Sequence, residues 1–406
     1  MDSSPECSLY VHIPFCASKC DYCDFFSLAK GSSVAPGYVR ALVNEARWYA
    51  SACSVERWKT IYIGGGTPSL LEPESIESLI QGLVEASGSR LSPGEITLEV
   101  NPQSLTEGKL AAAKNSGVTR LSMGIQSLCD NALKSVHRNC SSKKALEALE
   151  LVNSKWNGSL NLDVMAGLPG QSRDEYLNSV EKILSWNADH ISLYTLTIED
   201  GTPLARRIEH GEFWDEDEAD AQWMLGRDLV EKAGFKQYEV SNFAKKGFES
   251  RHNLAYWRQE NYIGIGAGAT GTVYSFDGEP HALRWTDTTD ISRYTDFWLS
   301  TDTASERDMT RDEKDLPRDV ENLDAETLEF EFLMMALRTL EGVSEDEYRI
   351  RYTRAGWNGN LSERLGENGL WKKYTDKGMT TPVKDGRYAL NKKGILFLNS
   401  FLRELI

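Results

Sequence analysis

Cys16, Cys20 and Cys23 form a C-x3-C-x2-C run between Phe15 and Asp24. Thiolate is the ligand that iron–sulfur clusters require, and three so close along the chain can fold round one soft metal centre. A cubane of four irons held by three cysteines keeps one iron free of protein ligands, open to a small molecule. Zinc competes for such a run, but a structural zinc site closes with four N or S ligands, often as two C-x2-C pairs. No second C-x2-C pair is present, and no histidine follows Cys23 closely. A cluster of free thiols in a packed core is the other alternative; Pro14, Lys19 and Asp21 suit a loop better.

Further polar groups stand where short apolar runs end. Gly64-Gly-Gly-Thr-Pro-Ser69 follows one such run. Glycines without a Cβ let a backbone edge approach a ligand closely, and Thr67 adds a hydroxyl. Taken alone, the same run is also a plain tight turn. Glu99, Gln126 and Asp163 lie at the tips of three more apolar runs, as helix caps or as ligand contacts. Arg138 can pair with a carboxylate as a fork. Gly266-Ala-Gly-Ala-Thr-Gly271 satisfies G-x-G-x-x-G, yet Thr-Val-Tyr-Ser-Phe follows it where a dinucleotide site needs a helix. It therefore reads as a glycine-rich loop.

The elements that must position these residues alternate. Strands are expected at 9–13, 60–63, 96–100, 121–125, 160–165 and 190–196. Helices are expected near 36–52, 73–87, 106–116, 128–136, 143–155 and 174–186. In the helix at 143–155, Leu146, Leu149 and Val152 make one apolar stripe. Six β-then-α units imply parallel strands with right-handed crossovers. Two more units would be needed for an eight-fold barrel, so a partial six-stranded α/β barrel is expected. In such a barrel ligands gather at the C-terminal strand ends, where all these groups lie.

Residues 1–235 are expected to form this barrel. Residues 236–300, rich in aromatics and glycines, read as a β-rich extension over the barrel mouth. Residues 301–325 read as a charged linker. Residues 326–406 read as a small helical domain whose Asp385-Gly386 turn marks a hairpin, in a winged-helix-like arrangement. Such a module can bind DNA, but the chain's acidity makes structural packing the better expectation.

The chain has 406 residues, 40% hydrophobic and 26% charged, with a formal net charge of −16. That length calls for two or three domains. The charge argues against a nucleic-acid partner, which needs clustered Lys and Arg; it leaves room for a small anionic ligand. No apolar run approaches the ~20 residues that span a bilayer. The opening Met-Asp-Ser-Ser-Pro-Glu has neither a basic region nor an apolar stretch, so no signal peptide is expected. Seven cysteines suit a reducing cytoplasm better than a disulfide framework. Cys7, Cys53, Cys129 and Cys140 read as small buried residues.

With Tyr22 before its third cysteine, the cluster run resembles the signature of the radical S-adenosylmethionine (SAM) superfamily. The resemblance implies a 4Fe–4S cluster on Cys16, Cys20 and Cys23 whose open iron binds SAM by its amino and carboxylate groups. It implies SAM contacts from Tyr10, Tyr22, Gly65, Gly66, Thr67, Glu99, Gln126, Arg138 and Asp163, and an outside electron donor. His12-Ile-Pro-Phe-Cys16, Glu99-x-Asn-Pro102, Gly124-Ile-Gln-Ser127, Gly167-Leu-Pro-Gly-Gln171 and His190-Ile-Ser-Leu-Tyr194 resemble the oxygen-independent coproporphyrinogen III oxidase-like family. The dehydrogenases of that family carry a further cysteine two residues after the third and a longer leading segment. Here Phe25 takes that position and 15 residues precede Cys16. Both departures resemble the family's haem chaperone branch, as does His252-Asn-Leu-Ala-Tyr-Trp257. The resemblance implies haem as cargo, haem-accepting proteins as partners, and His252 as a candidate axial ligand; dehydrogenation of coproporphyrinogen III is the alternative activity. One position departs from the family's Arg-x-His: the chain reads Arg138-Asn-Cys140. Either His137 or Cys140 covers that role, or the role is dispensable.

Overall fold

The computed structural model describes residues 6–29, 34, 36–88, 93–300, 316–352, 360–366 and 369–405. Strands β1 (Glu6–Ile13), β2 (Arg57–Gly65), β3 (Glu95–Val100), β4 (Arg120–Gln126), β5 (Ser159–Ala166) and β6 (His190–Thr195) enclose every expected strand to within a residue. They pair in parallel in chain order. Helices α1 (Pro36–Ala52), α2 (Pro73–Ala86), α3 (Glu107–Asn115), α4 (Asp130–Ser135), α5 (Ser142–Lys155) and α6 (Arg173–Leu184) make the crossovers. Helices α7 (Pro203–Glu209) and α8 (Glu216–Lys232) follow β6. Local chemistry sets where they begin. Thr106, Ser141 and Thr202 each accept a backbone N–H at the N-cap, and Ser172 with Glu175 forms a reciprocal capping box.

Strand alternation explains the layers. Leu9, Val11, Ile13, Ile61, Ile63, Leu121 and Leu162 are buried in one large core with the helices. The alternate residues point into the barrel and are polar. Thr60 Oγ1 donates to Ser8 Oγ at 3.0 Å, and Asn161 Nδ2 donates to Ser122 Oγ at 2.8 Å. A polar interior needs such mutual hydrogen bonds, because an unpaired buried group costs about 1–3 kcal/mol.

The segment 236–300 differs from the expected cover over the barrel mouth. Its strands prolong the same sheet at both edges. Beyond β6 lie β7 (Lys236–Gln237) and β8 (Asn242–Ala244), both antiparallel. The chain then passes through helix α9 (Arg251–Trp257) to β9 (Tyr262–Ile265), which pairs in parallel with β1. Strands β10 (Thr270–Ser275), β11 (His281–Asp287) and β12 (Arg318–Leu323) follow antiparallel, with helix α10 (Ile291–Ser300) between the last two. The result is a twelve-stranded sheet in the order β12-β11-β10-β9-β1-β2-β3-β4-β5-β6-β8-β7. The glycine-rich run 266–271 forms the β9–β10 turn and lies at the mouth end, as expected: β9 runs parallel to β1, and a Cβ at Gly266 would meet the His12 carbonyl.

Residues 301–315 of the expected linker lie outside the described residues. Arg318–Leu323, expected as linker, is instead the edge strand β12. Its side chains are mostly exposed, and an edge strand needs only its backbone bonds to hold it. The C-terminal helices Ala325–Ala336, Glu345–Tyr352, Leu361–Gly366, Leu370–Asp376 and Leu398–Leu405 share a second core around Phe332, Tyr348, Tyr352 and Phe401. The expected hairpin is closed by bridges between Thr380 and Leu390 and between Lys384 and Arg387. Tyr352 OH donates to Gln259 Oε1 at 2.6 Å and ties this domain to the barrel. Cys7 and Cys53 are buried, whereas Cys129 and Cys140 are only half-buried because they sit in crossover loops. Among the described residues no helix is long and apolar enough to cross a membrane.

Candidate functional site

At the C-terminal ends of β1–β6 a cavity of about 510 Å³ opens, and Cys16, Cys20 and Cys23 line it together. Cys16 is buried and the other two are half-buried. Thr67 Oγ1 donates to Cys16 Sγ at 3.6 Å, and Arg138 Nη1 reaches Cys20 Sγ at 3.8 Å and the Tyr22 hydroxyl at 3.4 Å. Burial pushes the Cys23 thiol up to about 11, so a metal taking that sulfur must displace its proton. Among the described residues no three His, Cys, Asp or Glu side chains are set to hold a single metal ion. A cubane does not ask for that convergence, because each cysteine binds a different iron.

The loop after β2 packs its backbone onto the cysteine loop. Gly65 has φ +107°, and a Cβ there would lie 2.6 Å from the His12 ring. At Gly66 a Cβ would come within 2.7 Å of the Phe15 oxygen and 3.0 Å of Cys16 Sγ. Only glycine allows this approach. Thr67 is held from behind, since Asn101 Nδ2 donates to its hydroxyl at 3.0 Å. Arg138 donates to Asn101 Oδ1 at 3.2 Å and to the Gly124 carbonyl, so one polar chain joins the ends of β2, β3 and β4.

Two acids face the same cavity. Glu99 accepts from Tyr62 OH at 2.7 Å and from Gly65 N–H at 3.1 Å. Burial pushes its carboxyl up to about 7, with nearby Asp163 adding repulsion. Burial also raises Asp163, which accepts from Asn161 Nδ2 at 2.7 Å. Gln126 sits at a register shift in β4 with φ +68°, a bulge that re-aims a side chain. Its Oε1 and the Nε of Arg138 are buried without a partner among the described residues. Orphaned polar atoms, two buried acids and a glycine cradle beside three thiols fit a small cationic ligand with amino-acid groups. SAM has that chemistry.

The radical SAM superfamily pattern matches residues 10–183. The heme chaperone HemW of Escherichia coli (strain K12) is 36% identical to this chain, over 98% of it and 97% of its own length. The mitochondrial radical S-adenosyl methionine domain-containing protein 1 of Danio rerio is 34% identical, over 99% of this chain and 87% of its own length. The chain belongs to the HemW family of radical SAM proteins. The structure of coproporphyrinogen III oxidase, HemN, from Escherichia coli aligns with a TM-score of 0.77 over 99% of this chain and 90% of that one. At 19% identity this likeness shows a shared fold. Membership of the superfamily implies a 4Fe–4S cluster and SAM, which the cavity residues fit.

In this HemW-family chain the cavity gathers Tyr22, Gly65, Gly66, Thr67, Glu99, Gln126, Arg138 and Asp163 with the cysteines. Two expected residues lie elsewhere. Tyr10 sits deeper in the barrel, its hydroxyl on His12 Nδ1 at 2.8 Å and its ring stacked on Tyr62. His252 is 1% exposed and closes the opposite end of the barrel. Its Nδ1 lies 2.7 Å from Thr60 Oγ1 and its Nε2 2.9 Å from Tyr256 OH. The backbone N–H groups of Arg251 and His252 donate to Glu95, the first residue of β3. Burial pushes the imidazole down to about 3, so it stays neutral. His252 therefore offers no free nitrogen to haem iron in this fold, which corrects its reading as an axial ligand. The apolar ring stack around it is barrel-floor packing.

Tyr62 and Asn101 were missed. Tyr62 pairs in register with Tyr10 and points inward like it, so counting by twos along β2 from Thr60 would have found it. Asn101 lies two residues beyond Glu99, inside a run already quoted for its resemblance. Phe25 lines the cavity mouth and is 65% exposed.

Proposed function

We propose that this chain is a radical SAM haem chaperone, which binds haem and passes it to haem-dependent proteins such as respiratory enzymes. The observation that carries the reading is the near full-length likeness to the Escherichia coli heme chaperone HemW. Phe25 supports it, because an apolar side chain stands at the cavity mouth where the dehydrogenases carry a further cysteine.

In this reading Cys16, Cys20 and Cys23 hold the cluster. Gly65, Gly66 and Thr67 receive the amino end of SAM, with Glu99 accepting its N–H groups. Arg138 meets its carboxylate as a fork. Asp163 and Gln126 take the ribose side, and Tyr22 closes the cavity beside Cys20. When bound and reduced by an outside electron donor, the cluster supplies reductive cleavage of SAM to methionine and a 5′-deoxyadenosyl radical. The protein's own part is to fix the ligand and keep water out. Seven free cysteines suit a reducing compartment such as the cytoplasm. The acidic charge of −16 weighs against nucleic acid as a partner.

The second reading is oxygen-independent dehydrogenation of coproporphyrinogen III, favoured by the fold shared with HemN. One experiment separates the two. Haem is titrated anaerobically into the cluster-loaded chain, which is then mixed with an apo-haemoprotein. A saturable Soret change followed by transfer is the expected result. No saturable binding refutes the chaperone reading, and repeated turnover of coproporphyrinogen III with SAM and a reductant would establish the alternative.

A further inference from the structure

A haem carrier of this family needs an iron ligand, and the chain's six histidines can be taken in turn. His12, His190 and His252 are buried, and each has both ring nitrogens hydrogen-bonded. His137, His210 and His281 are exposed. In each of these Nδ1 faces an oxygen acceptor: Asp21 Oδ2 at 2.6 Å, the Arg206 carbonyl at 2.6 Å and the Glu279 carbonyl at 3.1 Å. An oxygen acceptor fixes the proton on Nδ1 and turns the Nε2 lone pair outward, the tautomer that ligates a metal.

His137 differs from the other two in three respects. Its acceptor is a carboxylate rather than a peptide carbonyl, the partner typical of metal-ligating imidazoles. That carboxylate belongs to Asp21, whose neighbours Cys20 and Tyr22 line the iron–sulfur cavity, as does Arg138, the residue after His137. His137 also holds φ +51°, a left-handed conformation that a bulky residue adopts at a cost.

We propose that His137 is the axial ligand to haem iron, presented beside the cluster loop by Asp21; this rests on the haem reading above. Asp21 is held rigidly for the task. Its N–H donates to the Val136 carbonyl at 3.0 Å and its carbonyl accepts from Leu204 N–H at 3.0 Å. Arg207 donates to the same Oδ2, and also to the Ser135 carbonyl at 2.8 Å and as a fork to Glu212. The imidazole side chain is 71% exposed, so one face of the iron stays open to a recipient's ligand. Haem iron needs one protein ligand of this kind, not a converging set.

The test uses the cluster-loaded full chain, titrated with haem and followed by the Soret band and, after reduction, by the iron–histidine stretch in resonance Raman spectra. Glycine accepts the positive φ at this position, so His137→Gly keeps the backbone. It should lose the stretch and bind haem more than roughly tenfold more weakly, and added imidazole should restore the spectrum. Asp21→Asn should keep ligation but move the stretch to lower frequency, a change that a purely structural role would not produce. His210→Ala and His281→Ala should match wild type. An unchanged stretch and affinity in His137→Gly overturns the proposal, as does loss of the stretch in either control. Wild type that binds haem without an iron–histidine band overturns the ligand alone. Wild type without saturable haem binding removes the haem reading, and the ligand with it.

Discussion

Replacing Glu99 with glutamine leaves a side chain of the same shape without a charge to bury. Burial moves the Glu99 carboxyl from 4.5 to about 7. A raised group contributes stability that is complete below its unfolded value and is lost as pH climbs through its folded value. The rise is worth about 3 kcal/mol, reduced to about 2 kcal/mol because the side chain faces cavity water. Glu99→Gln should therefore unfold at a higher temperature than wild type above pH 7, with the gain vanishing near pH 4. SAM binding should respond in the opposite sense. A ligand with a sulfonium charge and N–H donors favours ionised Glu99, so wild-type affinity should rise about tenfold from pH 6 to pH 8. Glu99→Gln should bind more weakly at pH 8 and lose that slope. Isothermal titration of SAM into both cluster-loaded proteins at pH 6, 7 and 8, with thermal melts alongside, gives both quantities. The SAM amine titrates identically in the two, so the difference isolates Glu99. Equal pH slopes for the two proteins would refute the assignment of Glu99 to SAM.

Three other perturbations have clear outcomes. Gly66→Ala drives a methyl into the Phe15 carbonyl and Cys16 Sγ; cluster iron measured after anaerobic reconstitution should fall well below wild type. Replacing Cys16, Cys20 and Cys23 together with alanine should abolish bound iron and sulfide, and retention of about four irons would disprove the cluster assignment. His252→Gln breaks the paired bonds to Thr60 and Tyr256. It should cost about 1–3 kcal/mol in stability while iron content and the Soret position of bound haem stay as in wild type. A moved Soret band would return the iron ligand to α9.

Short-range chemistry made much of this protein legible. The three cysteines point to a cluster from sequence alone because they fall within one loop, and the fold brings them to one cavity. The β–α alternation of β1 to β6 follows from apolar runs of strand length separated by capped helices, each a local signal. Glu99, Gln126, Arg138 and Asp163 were recoverable because parallel strands carry their C-terminal ends to one rim, a property of the topology rather than of any contact. The glycines after β2 follow from the same placement.

Other features depended on pairings between residues far apart in the chain. Tyr262–Ile265 is only four residues long, too short for a periodic signal, and becomes a strand by pairing with Ser8–Val11. Arg318–Leu323 is charged and mostly exposed, so its strand identity comes from backbone bonds to β11. Register decided that Tyr62 would stand against Glu99. The histidines show the division most plainly. Residue type offered an imidazole at 252 and another at 137, and local motif favoured the first. Tertiary structure placed α9 across the barrel floor and buried both nitrogens of His252, while a crossover loop carried His137 against Asp21. A sequence declares which ligands exist; burial and hydrogen-bond partners, set by contacts more than a hundred residues apart, decide which nitrogen keeps a free lone pair.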